Sequence, residues 1–405
     1  MADNQKIVLD NGLIVYVGRR ELKGVYGHIG ILSGSASEPA KKRGIVHFLE
    51  HASLNGNRNF ASLDAVCEEA ESIGINPNAN TSFLSVTYPF STAAVHAYRA
   101  LALFADCAFT PKLTDETVEK EREIVLHELN GCESLVSYHQ QKLFNEVFFR
   151  GTPNSEMVLG RRPHIQSMTQ EDIRAYHAEH FVPGNAEVAL FGKVTNKDLN
   201  AMLETLNRYP ARKVPPRFVL ALPALHASER VEREHPALQQ AQGTVVFRAP
   251  KMKDELEHTT LVVEEILDGK GDSGLFKNIR ERQRLAYSVN THMFSDEHVG
   301  YLSMNFGCNP DKVDTCVETC LALAKRLNPS EDEMERARSR LTTRIALSKD
   351  ALNTAFGQFI QKEKFGVDAK DYQRRVLATT RKDVRTFAER YLSGLYQAMV
   401  LKPAQ

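Results

Sequence analysis

The sequence predicts an α+β protein built from two homologous domains, each an antiparallel β-sheet packed with α-helices. Three observations lead there. The chain has 405 residues, 42% of them hydrophobic and 25% charged, which exceeds one ordinary domain and suits a protein that buries a sizeable core. The stretch "YPARKVPPRFVLALPA" carries four prolines near the middle of the chain and breaks the pattern on both sides. An order of strand, helix, helix, strand then recurs beyond it. The expected division is a first domain over 1–208, a linker over 209–224 and a second domain over 225–405.

Taken in order, "KIVLDNGLIVYV" is two β-branched runs around Asn11-Gly12, the signal of a hairpin with a type I′ turn. A strand from Val25 to Leu32 and a Gly/Ser-rich turn precede a helix in "GIVHFLEHASLNG" at 44–56. Residues 63–73 and 93–108 have amphipathic helical spacing, with the alternating strand "SFLSVTYPF" between them. A heavily charged helical stretch covers 114–148. "TQED" at 169–172 is a capping box that opens a further helix, and "GNAEVALFGKV" is a strand. After the linker come a strand (Gly243 to Phe247), a helix in "HTTLVVEEILDG", a second helix (Gly274 to Arg284), and strands in "AYSVNTHMF" and "VGYLSMNFG". The helix ends "LNG" and "LDG" pair across the repeat.

Charge and targeting exclude several classes. Lys+Arg and Asp+Glu both number 51, so the net charge is zero and no broad basic field is offered to nucleic acid. No apolar run approaches ~18 residues, so no membrane helix is expected. The start "MADNQKIVLDNG" lacks the basic and apolar regions of a signal peptide. Six cysteines without a CxxC pair fit a reducing compartment, and the expected location is cytoplasmic.

Chemistry concentrates in His47-Phe48-Leu49-Glu50-His51. On a helix, residues four apart share a face, so both imidazoles can aim at one point, with Glu50 beside them. Two imidazoles suit zinc, and a catalytic zinc takes a third protein ligand and keeps a position open. H-x-x-E-H is the inverted zinc-peptidase signature, although a charged helix face carries such a pentad by chance too. A third ligand decides between them. In "EKEREIVLHELNG", Glu121 and Glu128 are seven apart and face the same way, but spacing alone does not favour Glu128 over Glu119 or Glu123.

These stretches resemble the pitrilysin/insulinase family of zinc peptidases, which includes mitochondrial processing peptidase. "LDNGLIVYV", "SGSASEP", "GIVHFLEH", "NANTSFLSVTY", "YHAEHFVPGNAEVALFGKV" and "GDSGLFKNIRERQRLAYSV" follow the family's order over about 300 residues. The family's third ligand lies 77 residues beyond the second histidine, here Glu128, and a further functional glutamate lies seven before it, here Glu121. The resemblance thus implies one zinc per chain on His47, His51 and Glu128, with Glu50 as general base and Glu121 supporting the site. It implies an edge strand at Asn78, Ala79, Asn80 and Thr81 that lies along bound peptide. It also implies an Arg280/Tyr287 pair that reaches the peptide near the scissile bond. Ala52-Ser53 stand where the family has a bulky apolar pair, a change expected to affect packing beneath the site.

The implied activity is zinc-dependent endopeptidase action on short unfolded peptides or precursor peptides inside a closed chamber. That chamber takes four such units. Two chains would supply them, most simply as a homodimer, with a heterodimer of homologous subunits as the other arrangement. The alternative function is a non-catalytic or partner-dependent subunit of a heterodimeric peptidase. Three other motifs read as structural: His177 and His180 in "YHAEHF" as a packed or solvated pair, "GKGDSG" at 269–274 as a helix end and turn rather than a phosphate loop, and "KEKFGVDAKDYQRR" as a solvated helix–turn.

Overall fold

In the computed structural model, which describes residues 3–348 and 352–404, the N-terminal β-branched runs form strands β1 (Asp3–Val8) and β2 (Ile14–Arg19), antiparallel from Asn4 opposite Gly18 to Val8 opposite Ile14. The connecting turn differs from expectation. A type I′ turn needs positive φ at both central residues, whereas only Gly12 is left-handed, at φ 87. Leu9 N–H reaches Leu13 O, and Gly12 N–H reaches Leu9 O, the pattern of a three-residue loop with a bulge. Asn11 is held by its side chain, whose Nδ2 donates to the carbonyls of Leu206 (2.8 Å) and Tyr209 (3.0 Å). Those bonds select the turn.

The first half continues as β3 (Gly24–Ile31), α1 (Ile45–Ser53), α2 (Leu63–Ser72), β4 (Asn80–Thr81), β5 (Val86–Ala93), α3 (Ala97–Phe109), α4 (Asp115–Glu133), α5 (Val136–Phe148), α6 (Arg162–Ser167), α7 (Gln170–His180), β6 (Ala186–Gly192) and α8 (Asn196–Asn207). The charged stretch 114–148 is two helices. It breaks at Leu135, whose backbone is extended, and Ser134 closes α4 with its Oγ on Gly131 O. The expected capping box opens α7: Thr169 N–H donates to Asp172 Oδ2 (3.0 Å) and Asp172 N–H to Thr169 Oγ1 (3.2 Å).

The second half contains β7 (Glu229–His235), β8 (Ala241–Arg248), α9 (Thr260–Leu267), β9 (Ala286–Ser295), β10 (Gly300–Cys308), α10 (Val313–Lys325), α11 (Glu331–Ser348), α12 (Leu352–Phe365), α13 (Ala369–Leu377), α14 (Arg381–Phe387) and β11 (Tyr396–Pro403). The helix expected from Gly274 is a wide π-helical segment, Phe276–Arg282, and the left-handed Arg284 at φ 52 follows it. Among the described residues no helix is long and apolar enough to cross a membrane.

The strands form two sheets, ordered β1-β2-β6-β3-β5-β4 and β7-β11-β8-β10-β9. Without β1 the two orders coincide strand for strand. Each sheet is antiparallel except at one pair, β2 with β6 and β7 with β11, which run parallel. A parallel pair needs a long crossover, and in each half the closing strand returns only after several helices. β6 is buried at every position, "AEVALFG", as a central strand should be.

The chain folds into two compact units whose makeup crosses the mid-chain prolines. One unit comprises Met1–Ser134, Glu156–Phe218 and Ala355–Gly366; the other comprises Leu135–Ser155, Val219–Thr354 and Val367–Gln405. Thus α5 belongs with the second sheet, where Gln397 Nε2 of β11 donates to Val147 O (2.9 Å). In return α12 belongs with the first sheet. Its Phe359 packs with Tyr16, Ala189 and Phe191, Lys364 Nζ reaches Glu187 Oε1 at 2.7 Å, and Glu363 accepts from Asn4 Nδ2 at 2.7 Å. The two exchanged helices follow α4 and α11, which occupy matching places in the repeat.

Candidate metal centre

The local sequence builds α1 from both ends. Val46, Phe48, Leu49 and Ala52 are wholly buried and anchor the helix in the core of the first unit. Its N-cap, Gly44, sits at φ 100, and a Cβ there would lie 2.8 Å from Leu159 O, so only glycine fits. The buried Glu38 carboxylate accepts from Gly44 N–H and Val46 N–H, both at 2.9 Å, filling the open donors of the first turn. Burial pushes the Glu38 carboxyl up to about 8 despite those two bonds. Glu38 stands within "SGSASEP" and was not singled out by sequence; an acidic residue just ahead of a glycine-capped helix was the available signal.

α1 lies against α4, and two histidines of α1 meet two glutamates of α4 there. His47 Nε2 and His51 Nε2 both approach Glu128 Oε2, at 3.6 and 3.4 Å. The imidazole centres are 4.7 Å apart. His51 Nδ1 faces Glu121 Oε2 at 3.4 Å, and the other oxygen of this buried carboxylate accepts from Asn55 Nδ2 at 2.8 Å. Asn55 is a further residue that the sequence reading passed over. Glu119 and Glu123, equal candidates by spacing, lie exposed on α4, with Glu119 engaged by Arg122. Among the described residues, His47, His51 and Glu128 are the one set of three His, Cys, Asp or Glu groups whose ligand atoms all lie within 4.8 Å of one another.

The electrostatics suit a cation. Burial and the neighbouring His51 push His47 down to about 4, so it is neutral and able to ligate. Burial also opposes charge on His51, but the Glu121 and Glu128 carboxylates override it and raise the imidazole to about 9. The contact with His51 lowers Glu128. A proton on His51 thus occupies the place in which a metal would balance the two carboxylates. Donors about 2.1 Å from a tetrahedral zinc stand about 3.4 Å apart, close to the two histidine–carboxylate separations of 3.6 and 3.4 Å. The set of two imidazole nitrogens and a carboxylate, with Glu121 behind His51, fits zinc.

Glu50 stands beside this cluster, its carboxyl raised by burial. Its Oε2 accepts from Thr81 Oγ1 at 2.5 Å, which ties it to β4. That two-residue strand pairs only with β5, Asn80 opposite Thr87 and Thr81 opposite Val86, and forms the edge of its sheet. Asn78 and Asn80 are exposed, and Ala79 is buried. Where the bulky pair was missing, Ser53 bonds Tyr88 OH at 2.9 Å and Ala52 is buried, so the substitution closes cleanly.

Other predicted positions fall elsewhere. Arg280 and Tyr287 are in the second unit, on the π-helical segment and on β9, with the guanidinium carbon 5.2 Å from the ring centre. His177 and His180 pack structurally: His177 Nε2 contacts Ala108 O at 2.9 Å and His180 Nδ1 contacts Ser33 Oγ at 3.0 Å. "GKGDSG" follows α9 as a turn, with Gly269 N–H on Ile266 O. The α9–α11 pair matches α1–α4 in the repeat but carries an ion cluster, Glu265 with Arg340 (2.7 Å) and Arg344 (2.9 Å).

Comparison with known proteins gives a consistent picture. Residues 24–162 match the family model described as "Insulinase (Peptidase family M16)", and residues 167–341 match "Peptidase M16 inactive domain". The uncharacterized zinc protease YmxG of Bacillus subtilis is 24% identical over 354 residues, 86% of this chain and 85% of its own. The "Probable mitochondrial-processing peptidase subunit beta" of Schizosaccharomyces pombe is 24% identical over 391 residues, covering 89% and 82%. The crystal structure of a protease from Helicobacter pylori shares the fold over 100% of both chains, with a TM-score of 0.88 at 19% identity.

Proposed function

Since the chain belongs to the insulinase family of peptidases, family M16, in the shorter two-domain form seen in processing peptidases, we propose that it is a zinc-dependent endopeptidase acting on short, unfolded peptides. The observation that carries this reading is the convergence of His47, His51 and Glu128 with Glu50 at their side. Zinc bound there supplies Lewis acidity toward a peptide carbonyl and makes water a nucleophile near neutral pH. Glu50 takes the proton of the attacking water on a carboxylate oxygen and passes it to the leaving amine. Burial, which raises its carboxyl, makes it the stronger base. The free edge of β4 receives substrate as an added strand, reading backbone rather than side chains. Arg280 and Tyr287 bind peptide near the scissile bond, Tyr287 donating its hydroxyl to the developing oxyanion. We assign the metal-bearing domain to 1–208 and the domain without metal to 225–405.

Elemental analysis of the purified protein should find one zinc per chain, and chelation should abolish peptide hydrolysis until zinc is returned. A protein that never binds zinc and still cuts peptides would overturn the assignment. Glu121→Gln should weaken zinc retention by about 10–100-fold, because it removes the carboxylate that orients His51. Competition with a chelator measures this, and unchanged retention would deny Glu121 that role.

Zinc affinity should also depend on pH with a definite sign. Zinc must displace the proton that His51 holds below about 9. Apparent affinity should therefore fall about tenfold for each unit below that value and level off above it. A pH-independent affinity between 6 and 8 would contradict this.

A second reading, a non-catalytic or partner-dependent subunit, is supported by the inactive-domain match over 167–341 and by a relative named as a subunit. It predicts that the zinc-loaded protein alone leaves a quenched peptide uncut and gains activity only with a homologous partner chain.

A further inference from the structure

Away from the metal centre, the second unit carries an alternating stack of cations and rings. Lys270 Nζ lies 5.1 Å from the centre of the Phe276 ring. The Arg280 guanidinium carbon lies 5.0 Å from that same ring and 5.2 Å from the ring of Tyr287. Local structure brings the four together. Lys270 sits in the turn after α9, Phe276 and Arg280 are four apart on the π-helical segment, and Tyr287 is the second residue of β9. Significant cation–π contacts occur roughly once per 70–80 residues, so three between positions 270 and 287 mark a built feature.

The two cations are fixed without being neutralised. Among the described residues, neither Lys270 nor Arg280 is paired with a carboxylate, while the neighbouring Asp272 is taken by Lys277 (2.9 Å) and Arg282 (2.5 Å). Both cations are exposed, and Tyr287 is 74% exposed. A ring face attracts a cation but leaves its N–H donors unused, and a guanidinium held by rings without a carboxylate partner keeps its fork available for two parallel bonds to a carboxylate. Such an arrangement receives an anion of the size and shape of a carboxylate beside an open aromatic face.

We propose that the Lys270–Phe276–Arg280–Tyr287 stack binds a carboxylate of the peptide substrate, from an acidic side chain or a free C-terminus, and that Lys270 and Phe276 are specificity-determining residues. This rests on the peptidase reading above. Phe276 acts through the cations that it clamps, and Lys270 meets the ligand directly.

The test reads binding without turnover, by fluorescence anisotropy on the zinc-loaded protein at low salt. Four labelled peptides of one otherwise uncharged sequence are compared, with Glu or Gln at one position and with a free or amidated C-terminus. Wild type should bind a carboxylate-bearing peptide about fivefold more tightly than the neutral one, and the arm that shows the preference identifies its source. Lys270→Gln and Phe276→Leu should erase the preference. Phe276→Tyr, which keeps a ring, and Lys277→Gln, which removes an equal charge already engaged by Asp272, should retain it. Equal binding of all four peptides by wild type, or a full preference in Lys270→Gln, would overturn the proposal whether or not any peptide is cut. Absence of cleavage alone would count only against the peptidase reading.

Discussion

Glu50→Gln protein is expected to keep its zinc and to lose peptide hydrolysis by about 10²–10⁴-fold. The carboxamide has nearly the shape of the carboxylate, and its oxygen still accepts from the Thr81 hydroxyl that Glu50 engages. α1 therefore keeps its seating, and His47 and His51 stay aimed at Glu128. What changes is the proton: an amide oxygen cannot take one from water at neutral pH. Elemental analysis and hydrolysis of a quenched peptide, run on the same preparation, separate the two effects. Zinc lost together with activity would make Glu50 a ligand rather than a base. Activity near that of wild type would remove it from the mechanism. An inert but zinc-loaded wild type would favour the subunit reading.

Mixing Glu50→Gln protein with Tyr287→Phe protein should recover activity that neither variant has alone. The expectation rests on the proposed function: a four-unit chamber would take two units from this chain, and a homodimer would complete it. Tyr287→Phe removes one donor to the developing oxyanion and should slow turnover by about 10²–10³-fold with zinc retained. If each site takes Glu50 from one chain and Tyr287 from the other, a mixed dimer has one intact site and one doubly altered site. Random exchange of equal amounts would then restore about a quarter of wild-type activity per chain. Native mass measurement checks that exchange has occurred. Exchange without recovery, or a fully active monomer, would sink the shared-site arrangement.

The parts of this protein that were legible in its sequence are those governed by neighbours along the chain. The helical period put His47 and His51 on one face, and they lie there. The capping box at Thr169 and the hairpin at Gly12 were equally local. Selecting Glu128 over Glu119 and Glu123 was not, because a helix of charges offers several equivalent carboxylates until another helix lies against one face. β7 escaped notice because "ERVEREH" is a largely exposed strand whose apolar signal is one valine. The turn at Asn11 was misread because two carbonyls almost 200 residues away decide its conformation. Glu38 holds the site through two short-range bonds to the first turn of α1, and Asn55 through a bond to Glu121, 66 positions away.

The exchange of α5 and α12 has a consequence during synthesis. The face of the first sheet that carries Tyr16 and Phe191 is closed by Phe359, yet β6 ends at Gly192 and α12 extends to Phe365. At 5–20 residues per second, a ribosome needs about 9–35 s to supply that cover. Throughout this interval the nascent chain presents an uncapped aromatic surface on an otherwise assembled sheet. Chaperone engagement should therefore peak after β6 has emerged and end when α12 does.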